Sequence, residues 1–184
     1  MNSPNQLYFL SLIPPEPLRE EVRQLKLEMK QRFGAKHALK SPAHLTLQMP
    51  FRRPEIVEER LISSLEEVAK NLIPFKIELS GFDFFEPRVI FIRVEEHVPI
   101  QEVHAALRKP LLDSLDLSEK ELTQKVHPHM TIATRDLTED NFYKARAEFE
   151  QRNFEAAFTA RSLFLLKHNG KYWDIIEEID FRRA

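Results

Sequence analysis

The sequence predicts an α+β fold, with two antiparallel sheets and flanking helices related by a pseudo-twofold. Three observations lead there. The order strand, helix, strand, helix, strand runs twice along the 184 residues. The second strand of each pass opens on the same pattern, HLTL at 44–47 and HMTI at 129–132. That strand begins 38 residues after the first strand opens in one pass (6 to 44) and 41 in the other (88 to 129). The chain therefore reads as one domain, 1–184, with repeat halves of roughly 1–87 and 88–184.

QLYFLSLIP (6–14) reads as a buried strand. Leu18, Val22, Leu25, Met29 and Phe33 then recur at helical spacing, with prolines before them and Gly34 after. HLTLQMPF (44–51) is a short strand, expected to end at Pro50. Residues 55–73 form a second amphipathic helix, stopped by Pro74, and FKIELS (75–80) alternates as a strand should.

The second pass opens with VIFIRV (89–94) as a strand. A helix over 99–115 follows, expected to kink or break at Pro110. HMTIAT (129–134) is a strand, and 137–152 is a helix with Thr138 as its N-cap. FEAAF (154–158), ARSLFLL (160–166) and YWDIIEEIDF (172–181) close the chain as strands, with HNGK as a hairpin turn.

Composition narrows the function classes. The chain has no Cys, so disulfides and thiolate metal sites are excluded. The run LYFLSLI is too short to span a membrane, and neither a basic segment before it nor a small-residue site after it suggests a leader peptide. A cytoplasmic monomer is the expectation, with no membrane partner. Net charge is −2, which does not by itself point to nucleic acid. Local charge says more. No acid lies between Glu28 and Glu55, or between Glu121 and Asp136, while Lys40, Arg52, Arg53, Lys125 and Arg135 lie there. Both His-x-Thr stretches sit in these windows, where an anion would meet a positive field.

Side chains alternate across a strand, so His44 and Thr46 share one face and Leu45 and Leu47 the other. His129 and Thr131 pair likewise, opposite Met130 and Ile132. If a pseudo-twofold relates the halves, two imidazoles and two hydroxyls can surround one small volume. That arrangement suits a phosphodiester. One neutral histidine can accept the nucleophile's proton, while the other, protonated, supplies the leaving oxygen. The threonine hydroxyls can hold the non-bridging oxygens. No metal or other cofactor is needed. His127-x-His129 could suggest a zinc pair, but a third ligand would have to come from elsewhere. Two rivals remain: a binding protein for RNA ends or nucleotides that turns nothing over, and a structural domain whose histidines only fill strand ends.

The paired motifs resemble those of the two-histidine (2H) phosphoesterase superfamily, in its branch of 2′-5′ RNA ligase-like proteins and cyclic phosphodiesterases. QLYFLSLIPPEPLREEV and LFLLKHNGKYW are also similar to that branch's opening and late hairpin. The resemblance implies a bilobal fold with the active site in a cleft, the chain's two ends sharing one lobe and its middle forming the other. It places the catalytic histidines at His44 and His129 and the phosphate-binding hydroxyls at Thr46 and Thr131. It implies a substrate carrying a phosphodiester, either a nucleotide or an RNA end. The expected reactions are opening of 2′,3′-cyclic phosphates and making or breaking of 2′-5′ linkages. Many relatives carry a basic residue five positions after the second histidine. Here Thr134 occupies that position, and the arginine comes one later.

Lys40, Phe51, His127 and Arg135 are further candidate substrate contacts. Lys40 and His37 lie in the basic loop before the first motif, and Phe51 follows that motif directly as a surface for a base to stack on. Tyr8, Tyr172 and Trp173 could also stack, though core packing explains them as well. His97 and His104 read as structural. Specificity is expected from the loops at 34–43, 50–54 and 116–128.

Overall fold

The computed structural model describes residues 4–182. The elements, in order, are β1 (Asn5–Leu12), α1 (Leu18–Phe33), β2 (Leu45–Pro54), α2 (Glu58–Ala69), β3 (Phe75–Phe85) and β4 (Val89–Val94). Then come α3 (Val98–Leu115), β5 (His129–Ala133), α4 (Glu139–Phe149), β6 (Glu155–Ala160), β7 (Ser162–His168) and β8 (Trp173–Asp180). The strands form two antiparallel four-stranded sheets, ordered β2-β1-β7-β8 and β5-β4-β3-β6. The fold is α+β and bilobal.

The two orders correspond. Each sheet has an edge strand carrying a His-x-Thr motif (β2 or β5), beside the strand that opens its pass (β1 or β4). Each sheet also takes strands from both sequence halves. β3 pairs with β4, and β7 pairs with β1. The chain's ends thus build one sheet and its middle the other, as the resemblance implies.

Alternation along the strands separates two environments. Tyr8, Leu10 and Leu12 of β1, and Ile90, Ile92 and Val94 of β4, enter a core shared by both sheets and all four helices. Phe9 and Ile13, with Phe164 and Leu166 of β7, form a separate cluster on the other face, with Trp173 packed against it. The helices cover one side of the sheets and leave this second face for the site.

Several elements differ from the sequence expectation. β2 runs through Pro50 to Pro54. It is an edge strand, where a missing backbone N–H need not break a ladder hydrogen bond, so proline is tolerated. α3 continues unbroken past Pro110. Its buried face, Val103, Leu107, Leu111 and Leu115, holds the turns on either side together. The second helix opens as a 3-10 turn at Glu55–Val57, and α2 ends at Ala69. β3 extends five residues beyond the expected end because Gly81, at φ 63, absorbs a bulge where the β3–β4 register shifts. Thr138 caps α4 as expected, accepting from the Asn141 N–H. No helix among the described residues is long and apolar enough to cross a membrane.

Candidate active site

His44 stands immediately before β2, and His129 opens β5. Their surroundings match closely. Nδ1 of His44 lies 2.8 Å from the carbonyl oxygen of Pro42, and Nδ1 of His129 lies 2.7 Å from that of His127. Each ring is thus tied to the carbonyl two residues upstream. A carbonyl can only accept, so each Nδ1 carries the proton and donates it. In the neutral ring, Nε2 then keeps its lone pair for a substrate.

Each ring also rests on a phenylalanine of the neighbouring strand. Phe9 of β1 lies 5.0 Å from the His44 ring, and Phe91 of β4 lies 5.0 Å from the His129 ring, centroid to centroid. Phe9 and Phe91 are both buried. Phe91 stays outside the helix-side core, as Phe9 does. Around Phe9 the aromatic floor continues to Trp173 at 4.6 Å and from there to His168 at 4.9 Å. Around Phe91 it continues to Phe85 at 4.5 Å, which also meets His129 at 5.1 Å. Phe85 is 40% exposed, an open aromatic face beside the second histidine.

The apolar setting disfavours charge on both rings. Burial is the main cause pushing His44 down to about 4; the nearby Lys26 amine adds to it, and the Pro42 hydrogen bond opposes it. Charge on His129 also disfavours a proton on His44, so the two imidazoles lie within electrostatic reach of each other. His129 is likewise held below its ordinary value, by burial first. Both rings are therefore neutral in the resting protein at pH 7. An anionic phosphate beside either ring would favour its protonated form.

Thr46 and Thr131 are half-buried on the same strands. Thr46 lies opposite Ser11 of β1, and Thr131 opposite Phe91 of β4. The Ser11 hydroxyl is fully buried and has no hydrogen-bond partner among the described residues.

The other sequence candidates separate. Phe51 is a core residue, 3% exposed and packed against Tyr8, so the expectation of a stacking contact there is corrected. The β1–β2 register sets Phe51 opposite Tyr8, and both rings enter the helix-side core. Tyr8 is likewise internal, its hydroxyl donating to Glu58. His127 is exposed and contacts Phe85 and His97 at ring distances of 5.4 and 5.2 Å. Lys40 ends a 3-10 turn, His37–Lys40, whose first backbone N–H groups reach the Asp136 carboxylate. β5 ends at Ala133, and Arg135 is exposed at φ 59, so strand alternation does not set its direction. It lies close enough to His37, with Lys40, to disfavour a proton there. Lys40 and Arg135 thus lie around His37 together with the Asp136 carboxylate. Among the described residues no three His, Asp or Glu side chains are grouped to hold a metal ion.

Sequence reasoning missed Phe9, Phe91, Phe85, Gln48 and Lys26. Phe9 and Phe91 had a signal: each stands three positions after the strand start used to align the passes, residues 6 and 88. Lys26 had one too, as a lysine beside Leu25 on the apolar stripe of α1. Gln48 follows Leu47 on β2 and is 1% exposed. Its carboxamide pairs with the chain at Glu121 and Thr123.

Residues 14–171 match the family model of the 2′-5′ RNA ligase superfamily. The chain belongs to this superfamily. A Bacillus subtilis relative named RNA 2′,3′-cyclic phosphodiesterase is 26% identical over 176 residues, covering 92% of this chain and 94% of its own. The crystal structure of TT0787 from Thermus thermophilus aligns with a TM-score of 0.65 at 20% identity, over 96% of this chain and 98% of that one. E. coli LigT, crystallised with 3′-AMP, gives 0.65 at 15% identity, over 98% and 100%. At these identities the two structures speak for the fold. Superfamily membership and the named relatives make the chain a phosphoesterase of the two-histidine kind.

Proposed function

We propose that the chain is a metal-independent phosphodiesterase that opens a 2′,3′-cyclic phosphate on a nucleotide or RNA end, with His44 and His129 as its acid–base pair. One observation carries the reading. Both imidazoles are fixed through Nδ1 in the same way, and each rests on the equivalent phenylalanine, which supports a matched pair of Nε2 atoms left free for chemistry. The name of the Bacillus subtilis relative supports the substrate class.

In this mechanism, water attacks phosphorus as one P–O bond of the ring breaks. A neutral imidazole accepts the water proton, and the protonated one gives its proton to the departing ribose oxygen. Thr46 and Thr131 hold the non-bridging oxygens, and Lys40 and Arg135 lend positive field. Phe85 offers a stacking face to the base. The product is a phosphate monoester. With the 5′-hydroxyl of a second RNA end attacking in place of water, and the ribose 3′ oxygen leaving with the donated proton, the same geometry would form a 2′-5′ linkage.

The test is turnover of 2′,3′-cyclic nucleotides and of RNA with a cyclic phosphate end, in EDTA. Wild type should give monoester product with a bell-shaped pH profile. His44→Ala and His129→Ala should each lose at least about 1,000-fold while keeping the native circular dichroism spectrum. Undiminished turnover by the double variant would overturn the mechanism. Saturable binding without product at any pH would instead identify a binding protein.

A further inference from the structure

Lys26 is a lysine where the helix pattern calls for an apolar residue. It lies on the buried stripe of α1 with Val22, Leu25 and Met29, and is only 2% exposed. Burying an amine away from any carboxylate works against stability, so an aliphatic residue would serve the core better. Its Nζ donates to two backbone carbonyls, Ser41 at 3.0 Å and Pro42 at 3.1 Å. The Pro42 oxygen is the one that also accepts from Nδ1 of His44. A carbonyl has two lone pairs and can serve both donors. The His129 side differs: there the anchoring carbonyl belongs to the exposed His127, and no amine shares it among the described residues. Lys26 is thus one point at which the anchoring of the two histidines differs.

We propose that Lys26 is a positioning residue for His44, pinning the Pro42 carbonyl that fixes the orientation and tautomer of the imidazole. The inference rests on the reading of His44 as catalytic. Without Lys26, the Ser41–Pro42 peptide keeps no tie to α1 through this side chain, and the His44 ring follows that peptide.

Lys26 also acts through charge. Burial lowers it to about 7, and its positive form opposes protonation of His44. The two groups therefore compete for charge. Other charged groups line the cavity of about 250 Å³ that Lys26 borders: Glu16 just before α1, Arg19, Glu20 and Arg23 from its first turns, and Lys40 from the 3-10 turn ahead of β2. Arg19 pairs with Glu16, and Arg23 with Glu20. Lys40 is exposed. From the other lobe, His129 is the group that acts on His44.

The experiment uses the full chain as Lys26→Met and Lys26→Gln, with imidazole NMR titrations of His44 and His129 and turnover of a 2′,3′-cyclic nucleotide across pH. Lys26→Met removes both the hydrogen bonds and the charge. It should raise the His44 titration by about one pH unit and leave His129 in place. It should also lower kcat about tenfold or more, with little change in KM. One limb of the pH profile should move upward, and that limb identifies the role of His44. Lys26→Gln keeps a donor for the Pro42 carbonyl but no charge. It should recover most of kcat while keeping the titration shift. If folded Lys26→Met leaves the His44 titration and kcat unchanged, the inference is overturned. It is also overturned if both histidines shift together with a general loss of stability and glutamine rescues nothing. The titrations are read in the resting protein, so absence of turnover by wild type would count against the phosphodiesterase reading without touching the Lys26–His44 coupling.

Discussion

Gln48→Leu should destabilise the fold by about 2–4 kcal/mol and loosen the loop that leads to His129. Gln48 is 1% exposed, and its carboxamide serves three partners. Nε2 donates to the carbonyls of Glu121 at 2.9 Å and Met49 at 3.0 Å, while Oε1 accepts from the Thr123 N–H at 3.0 Å. Leucine has nearly the same volume, so little cavity is added. It strands the Thr123 N–H and the Glu121 carbonyl. A buried group without its partner costs about 1–3 kcal/mol, with the lower end fitting Glu121, whose residue is exposed. Other ties persist: His104 Nε2 donates to the Thr123 carbonyl at 2.8 Å, while the Met49 N–H to the Thr123 hydroxyl and the Arg53–Glu121 pair are nearer solvent and hold less. Urea unfolding at pH 7.5 measures the global loss. Hydrogen exchange at Thr123 and its neighbours measures the local one, which should far exceed that in β7. A change below about 0.5 kcal/mol, the size of an ordinary surface substitution, would refute the claim that this amide holds the loop.

Other outcomes follow from the same geometry. If the proposed phosphate contacts hold, Thr46→Val and Thr131→Val should each lower kcat about 100-fold with native stability, because each removes one hydroxyl donor while preserving shape; steady-state kinetics and thermal melts check this. Phe85→Ala should raise KM for cyclic nucleotides about tenfold, the scale of one lost base–aromatic stack, and leave kcat near wild type. His44 is held neutral by folding, so the unfolded chain binds more protons between its ordinary value of 6.5 and the folded value of about 4. The part of the stability linked to His44 should therefore be full above pH 6.5 and fall as pH drops toward 4. Urea midpoints should show His44→Gln flattening part of that decline.

Much of the fold was legible because periodicity and punctuation agreed. The 89–94 strand is observed with the same bounds, and Thr138 caps its helix, because local pattern and tertiary packing ask for the same residues there. Pro50 and Pro110 misled because their cost depends on surroundings that the local sequence does not display. One sits on an edge strand, and the other lies in a helix held by its buried face. The paired histidines and threonines were legible as a pattern at matching spacing. Their anchoring was not. The Pro42 and His127 carbonyls, the phenylalanine floor and the Gln48 clamp all depend on which strands become neighbours, which no local window records. Phe51 illustrates the converse: adjacency to a motif in sequence gave it no place in the site, because its side chain turns to the helices.

The exchange of strands between sequence halves bears on ancestry and assembly. β3 leaves the first half to pair with β4, and β7 leaves the second to pair with β1. The first half alone would leave β1 without β7 and β3 without any partner strand; the second would leave β4 without β3, β6 without any partner strand, and the β7–β8 hairpin apart from β1. Two such fragments would each supply what the other lacks. The minimal folding unit is thus the pair, and a single-motif precursor could fold as a strand-swapped homodimer with one histidine from each copy. In a single chain the two histidine settings need not be identical, and Lys26 stands beside His44 alone.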